Sequence, residues 1–109
     1  MYIVLETYTD ASRNDYFHTF IVGNRRTAVK LANTLLEAFV KSEIVDGWDA
    51  KDIKCSGSLK SGNSKEAWNE KHIDRVEIQK ATMVKDFKLV ETGDEFGRYF
   101  DVEIISEDK

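Results

Sequence analysis

Proline is absent from these 109 residues. No turn is stiffened by a fixed φ, and no slow X–Pro isomerisation enters folding. The single cysteine, Cys55, excludes an internal disulfide and suits a reducing compartment. His18, Cys55 and His72 are too scattered to make the close ligand pairs of a zinc site. No apolar run approaches the roughly 20 residues that cross a bilayer. Residues 1–6 lack a basic segment, and Glu6 interrupts their apolar run, so no secretory leader and a cytoplasmic location are expected. A strong excess of one charge is also missing, the formal net charge being −4. A chain of this length supports a single compact domain, 1–109, because a second core would have too little chain.

What is present reads as an ordinary folded protein, with 41% hydrophobic and 33% charged residues. Residues 2–9, YIVLETYT, and 16–22, YFHTFIV, are rich in β-branched and aromatic residues. The turn formers DASRND separate them, so the pair reads as a β-hairpin. On the first strand Tyr2, Val4, Glu6 and Tyr8 share one face, and Ile3, Leu5 and Thr7 the other. From Arg25 to about Ser42 the period changes to three and four. Ala28, Leu31, Ala32, Leu35 and Phe39 form a stripe, widened by Leu36 and Val40, behind the N-cap Asn24. Ile53 and Cys55 fit a short strand. Segment 56–64 has the composition of a flexible loop, and Asn63 with Glu66 predicts the start of a short helix running to about Lys71. Residues 73–81 place Val76 and Ile78 on one side of a strand, with helix as an alternative over 73–85. Residues 86–91 and 96–105 suggest a hairpin around ETGDE, followed by a frayed tail at about 106–109. The expected fold class is α+β: an antiparallel sheet built from the N-terminal hairpin and the C-terminal strands. One long helix packs on one of its faces, and a second short helix follows.

Several stretches imitate known chemistry. Gly57 and Gly62 have the spacing of a phosphate-binding G-x-x-x-x-G-K-[ST] loop, and Ser64 stands at its hydroxyl position. Asn63, however, occupies the place of the essential lysine, and Lys65 comes two positions late. Cys55 with His72, oriented by Asp74, is the one conceivable nucleophile–base set, and its members are far apart in sequence. Asp46-Gly47-Trp48-Asp49 invites comparison with a calcium loop, but Trp48 and Ala50 fall where alternate oxygen ligands are needed. No cofactor or metal and no catalytic activity are expected.

Charge is segregated along the chain. Residues 1–50 carry 5 basic and 7 acidic side chains, 51–90 carry 9 and 6, and 91–109 carry 2 and 7. Two surfaces follow. An acidic one comprises Glu43, Asp46, Asp49 and Asp52 around Trp48, with Tyr99, Asp101 and Glu103 on the final strand as a second patch. A weakly basic one comprises Lys54, Lys60, Lys65 and Lys71 with Trp68 as a stacking group, supported by Lys51, Arg75, Lys80, Lys85 and Lys88. The first suits a small non-enzymatic protein that masks a functional or nucleic-acid-binding surface of a larger protein or protein–nucleic acid complex. The alternative is a nucleic-acid-binding or regulatory module using residues 51–90. In size and charge the chain resembles the small accessory proteins of phages and mobile elements that inhibit host defence, anti-CRISPR proteins among them, although no motif carries that resemblance.

Overall fold

The computed structural model describes residues 1–93 and 99–108. The chain forms β1 (Tyr2–Thr9), β2 (Asp15–Val22), α1 (Arg25–Val45), a 3₁₀ turn (Ala50–Asp52), β3 (Lys54–Ser58), β4 (Ser64–Trp68), β5 (Ile73–Lys80), β6 (Met83–Glu91) and β7 (Phe100–Asp108). It is α+β. Five antiparallel strands lie in the order β2-β1-β5-β4-β3, and β6 pairs with β7 in a separate two-stranded sheet.

The N-terminal hairpin forms as its sequence dictates. Asp10 organises the turn by accepting from the backbone N–H groups of Ser12 and Asn14 at 2.9 and 3.0 Å. Asn24 caps α1, its side chain accepting from Thr27 N at 2.8 Å. The helix buries Ala28, Ala32, Leu36, Phe39 and Glu43, with Leu31, Leu35 and Val40 partly covered. Small residues at 28 and 32 bring the helix close to the sheet, and larger ones fill the widening gap beyond. Beneath it the sheet contributes Val4, Ala67, Val76 and Ile78, and the β3–β4 turn contributes Leu59. Burying Leu36 or Phe39 stabilises the fold by roughly 1.5–3 kcal/mol each.

Three expectations are corrected. Residues 64–68 are strand β4, not the start of a second short helix. Hydrogen bonding to β3 on one side and β5 on the other satisfies their backbone, which an isolated helix of this length would do poorly. Asn63 therefore caps nothing. Its side chain accepts from Arg25 Nη1 at 3.0 Å and its carbonyl from Ile78 N at 2.7 Å. The segment read as a loop at 56–64 is largely a hairpin, with Ser56–Ser58 in β3, Ser64 in β4 and Leu59 buried. Third, β6 and β7 do not join the main sheet. The open edge of β1 is taken by β5, and β5 by β4, leaving only β2 and β3 as edges. Residues 73–80 and 83–91 are strands, and β7 continues through Ser106–Asp108. Phe96–Arg98 and the last two residues of ETGDE, Asp94 and Glu95, lie outside the described residues. On the β6–β7 pair Phe87, Leu89, Phe100, Val102 and Ile104 share one exposed face.

The spacing of Gly57 and Gly62 has a steric cause. Gly57 has φ +89°, and a Cβ there would sit 2.5 Å from Ser64 O. A Cβ at Gly62 would sit 2.9 Å from Ser58 O. Gly57→Ala is expected to cost about 2 kcal/mol or more. Gly23, with nothing within 4 Å of its Cβ position, should tolerate alanine within about 0.5 kcal/mol. Urea denaturation of the two variants checks this; equal midpoints would contradict it.

Candidate functional site

α1 lies over β5 and β1 and leaves the flank toward β2 open. A groove of about 830 Å³ runs there between the helix and the edge strand. Its sheet side follows from strand alternation. Glu6 and Tyr8 on β1, His18 and Phe20 on β2, and Asp74 on β5 all point to the helix side, in register with buried Val4 and Val76. Leu35, Phe39 and Glu43 enter from the helix at its three-and-four spacing.

Five carboxylates converge on this groove: Glu6, Asp10, Glu43, Asp46 and Asp74. No lysine or arginine lines it among the described residues. Asp10 is committed to the hairpin turn, whose N–H groups hold its carboxyl below the usual range. Glu6 Oε1 lies 2.9 Å from His18 Nδ1. Glu43, only 3% exposed, lies 2.6 Å from His72 Nδ1, an ion-pairing distance although the ring nitrogen is not aligned for a hydrogen bond. Asp46 carries no side-chain bond or ion pair among the described residues. The last turn of α1 has no basic residue, so its own negative dipole end adds to the field. That field is felt by Tyr8, whose hydroxyl is pushed up first by burial and then by the charges of Glu43, Asp10 and Asp46.

Asp74 is the anomaly. It is 1% exposed, and neither carboxylate oxygen has a hydrogen-bond partner of good geometry. Burial first, then contact with the Glu6 side chain and that group's charge, push its carboxyl up to about 8. The Asp74 carboxyl therefore keeps its proton near neutral pH.

Aromatic rings line the rest. Tyr8 stands at 6.1 Å from Tyr16, 6.2 Å from Phe39 and 5.9 Å from His72, between ring centroids. Trp48 is half-buried, its ring edge-on to His72 at 6.5 Å. Among the described residues, no three acidic, histidine or cysteine side chains are arranged to hold a metal ion.

The structure regroups the acidic residues that the sequence singled out. Glu43 is buried, because it continues the inward stripe of α1 one turn past Phe39, and is not part of a solvated edge. Asp46 joins the groove, whereas Asp49 and Asp52 are exposed around the 3₁₀ turn. Asp101 and Glu103 lie on β7, in the separate β6–β7 sheet, and Tyr99 immediately precedes it. Glu6, Asp74 and His18 were not grouped by sequence reasoning, although their strand parity with Val4, Val76 and Phe20 carries the signal.

The basic set is not gathered into one surface. Lys54 and Trp68 pair across β3 and β4 on the face away from α1, while Lys65 points to the opposite face. Lys60 and Lys71 lie at opposite ends of β4, a strand about 17 Å long. The phosphate-loop imitation also dissolves. Ser58 Oγ accepts the Lys60 and Ser61 N–H groups, and the Arg25 guanidinium donates to the Leu59 and Gly62 carbonyls. Cys55 is exposed on edge strand β3, and among the described residues no hydrogen bond joins it to His72.

No known family model matches this chain, and no curated protein or solved structure is significantly similar to it. No helix among the described residues is long and apolar enough to cross a membrane.

The raised Asp74 carboxyl fixes a sign. Its folded value lies above the unfolded value of 3.8, so protonation favours the fold and the contribution is complete only below about pH 4. Stability should therefore fall as pH rises from about 4 through about 8. Asp74→Asn, which carries no ionisable proton, should remove this loss and unfold at higher urea than wild type at pH 8.5. Equal midpoints for the two proteins at pH 5 and at pH 8.5 would rule the assignment out.

Proposed function

We propose that this is a small, non-enzymatic cytoplasmic binding protein that acts by covering a basic, functional surface of a larger protein or protein–nucleic acid complex. The observation that carries this reading is the convergence of five carboxylates on one open, aromatic-lined groove that no lysine or arginine lines among the described residues. A surface of this kind competes with phosphate for the lysines and arginines of a nucleic-acid-binding site, and its field speeds the encounter. Inhibition of a host defence nuclease by a phage or mobile-element accessory protein is the setting that best suits such a device. The basic residues of 51–90 support the nucleic-acid alternative less well, since they are divided between two faces and two ends of the sheet.

The test is affinity capture from lysate of cells that naturally express the protein, using wild type and an Asp46→Lys/Asp49→Lys variant. Wild type should retain one stoichiometric partner, and duplex DNA or RNA should displace it. The charge reversal should weaken retention by about tenfold or more. Recovery of no stoichiometric partner, or retention unaffected by both nucleic acid and charge reversal, would overturn the reading.

A further inference from the structure

Strand β2 is an outer edge of the five-stranded sheet, and no strand pairs beyond it among the described residues. Its free hydrogen-bonding groups follow from the hairpin. Asp10 N donates to Asn14 O at 3.0 Å, and the β1–β2 register then runs without a bulge from Thr9 opposite Asp15 to Tyr2 opposite Val22. Antiparallel pairs alternate, so Tyr16, His18, Phe20 and Val22 exchange bonds with β1, while Phe17, Thr19 and Ile21 turn their N–H and C=O groups to the open edge. Folded proteins blunt such edges with lysine, proline, bulges or short strands. The opposite edge, β3, is blunted: it has five residues, carries Lys54 and places Gly57 at φ +89°. β2 has none of these devices. It is eight residues long, its one carboxylate, Asp15, stands at the first position, and Phe17 and Ile21 are 69% and 70% exposed. We propose that β2 pairs antiparallel with β2 of a second copy of this chain, across a two-fold axis at Thr19, joining two five-stranded sheets into one. This goes beyond the reading of the groove and stands without it.

The strand's own sequence selects both the occupant and the register. Residues directly opposite in an antiparallel ladder send their side chains to the same face. With Thr19 on the axis, Phe17 faces Ile21 of the second copy and Tyr16 faces Val22 of the second copy, each pair occurring twice. His18 faces Phe20 of the second copy, and the two Thr19 side chains face each other. Aromatic–β-branched and Thr–Thr pairs are among those that stabilise a ladder. The outward backbone groups of Phe17, Thr19 and Ile21 all find partners in this register. Moving the axis by one residue to His18 sets imidazole against imidazole and Asp15 against Ile21, which the side-chain pattern disfavours. No lysine or arginine enters the contact, and Asp15 falls opposite Gly23, so like charges do not meet within it. A foreign peptide would need no such two-fold match. A ladder of roughly seven residue pairs is small beside the standard interface of about 800 Å² per partner, so the dimer forms at micromolar rather than nanomolar concentration. The two acidic grooves share one face of the joined sheet and adjoin across the axis, so their repulsion opposes pairing until salt screens it.

The experiment is sedimentation equilibrium of the whole protein across micromolar concentrations. Wild type should show a monomer–dimer equilibrium that tightens as salt is raised from about 0.05 to about 0.5 M. Thr19→Pro removes an outward N–H while leaving the bonds between β2 and β1 in place, and should weaken association by about tenfold or more. Thr19→Lys sets like charges opposite each other on the axis and should also weaken association; it serves should the proline variant lose its folded amide spectrum. In a Cys55→Ser background, Thr19→Cys should form an interchain disulfide under mild oxidation, because opposed residues of a hydrogen-bonded pair have the Cα separation a disulfide needs. His18→Cys, lying off the axis, should not. A monomer at every concentration and salt, full association in both Thr19 variants, or cross-linking at position 18 rather than 19 would overturn the pairing. A dimer lost in Leu89→Ser, on the exposed face of the β6–β7 sheet, but kept in the Thr19 variants would place the contact there and overturn it as well.

Discussion

A single helix about 10 Å across cannot cover five strands spaced about 4.8 Å apart. Everything of interest in this molecule follows from where α1 sits under that constraint. It lies over the central strands β5 and β1, where Val4, Val76 and Ile78 meet Ala32, Leu36 and Phe39 to make the core. The flank over β2 is left uncovered, and the side chains that alternation sends there face a groove rather than a helix. On the opposite sheet face Phe17 and Ile21 are exposed.

Within that groove the electrostatics are unbalanced by design of the sequence rather than by accident of geometry. Glu6 and Asp74 occupy inward positions on two hydrogen-bonded strands, and Glu43 extends the inward stripe of α1. Each stands where the pattern calls for an apolar residue. Two of the three have a histidine nearby, His18 for Glu6 and His72 for Glu43, and Asp74 has none. A buried carboxyl kept protonated by its surroundings is a cost to the folded protein.

Much of the fold was legible from local pattern. The N-terminal hairpin, the helix from Arg25 and its Asn24 cap rest on periodicity and capping chemistry, which short sequence windows contain. The β3–β4 hairpin was not legible. Its pairing is decided by β5 on the far side, and a polar run with two glycines reads as a loop until the tight approach of Ser64 to Gly57 is known. The same non-local pairing set the arm of β6 and β7 apart from the main sheet. Of the site, Glu43 and Asp46 were found, but Glu43 was given the wrong setting, since sequence proximity grouped it with exposed Asp49 and Asp52. Glu6 and Asp74 lie far apart in sequence, and only the β1–β5 register brings them together.

The central claim is that burial under α1 keeps the Asp74 carboxyl well above the usual carboxylate range. Tyr8 from β1, His18 from β2, Glu43 from α1 and His72 before β5 are the other titratable groups that share those surroundings. Carboxyl-carbon NMR, with resonances assigned and followed across pH, reads the Asp74 carboxyl directly. The account predicts a midpoint near 8 for Asp74. Titration of Asp74 near pH 4 would contradict it.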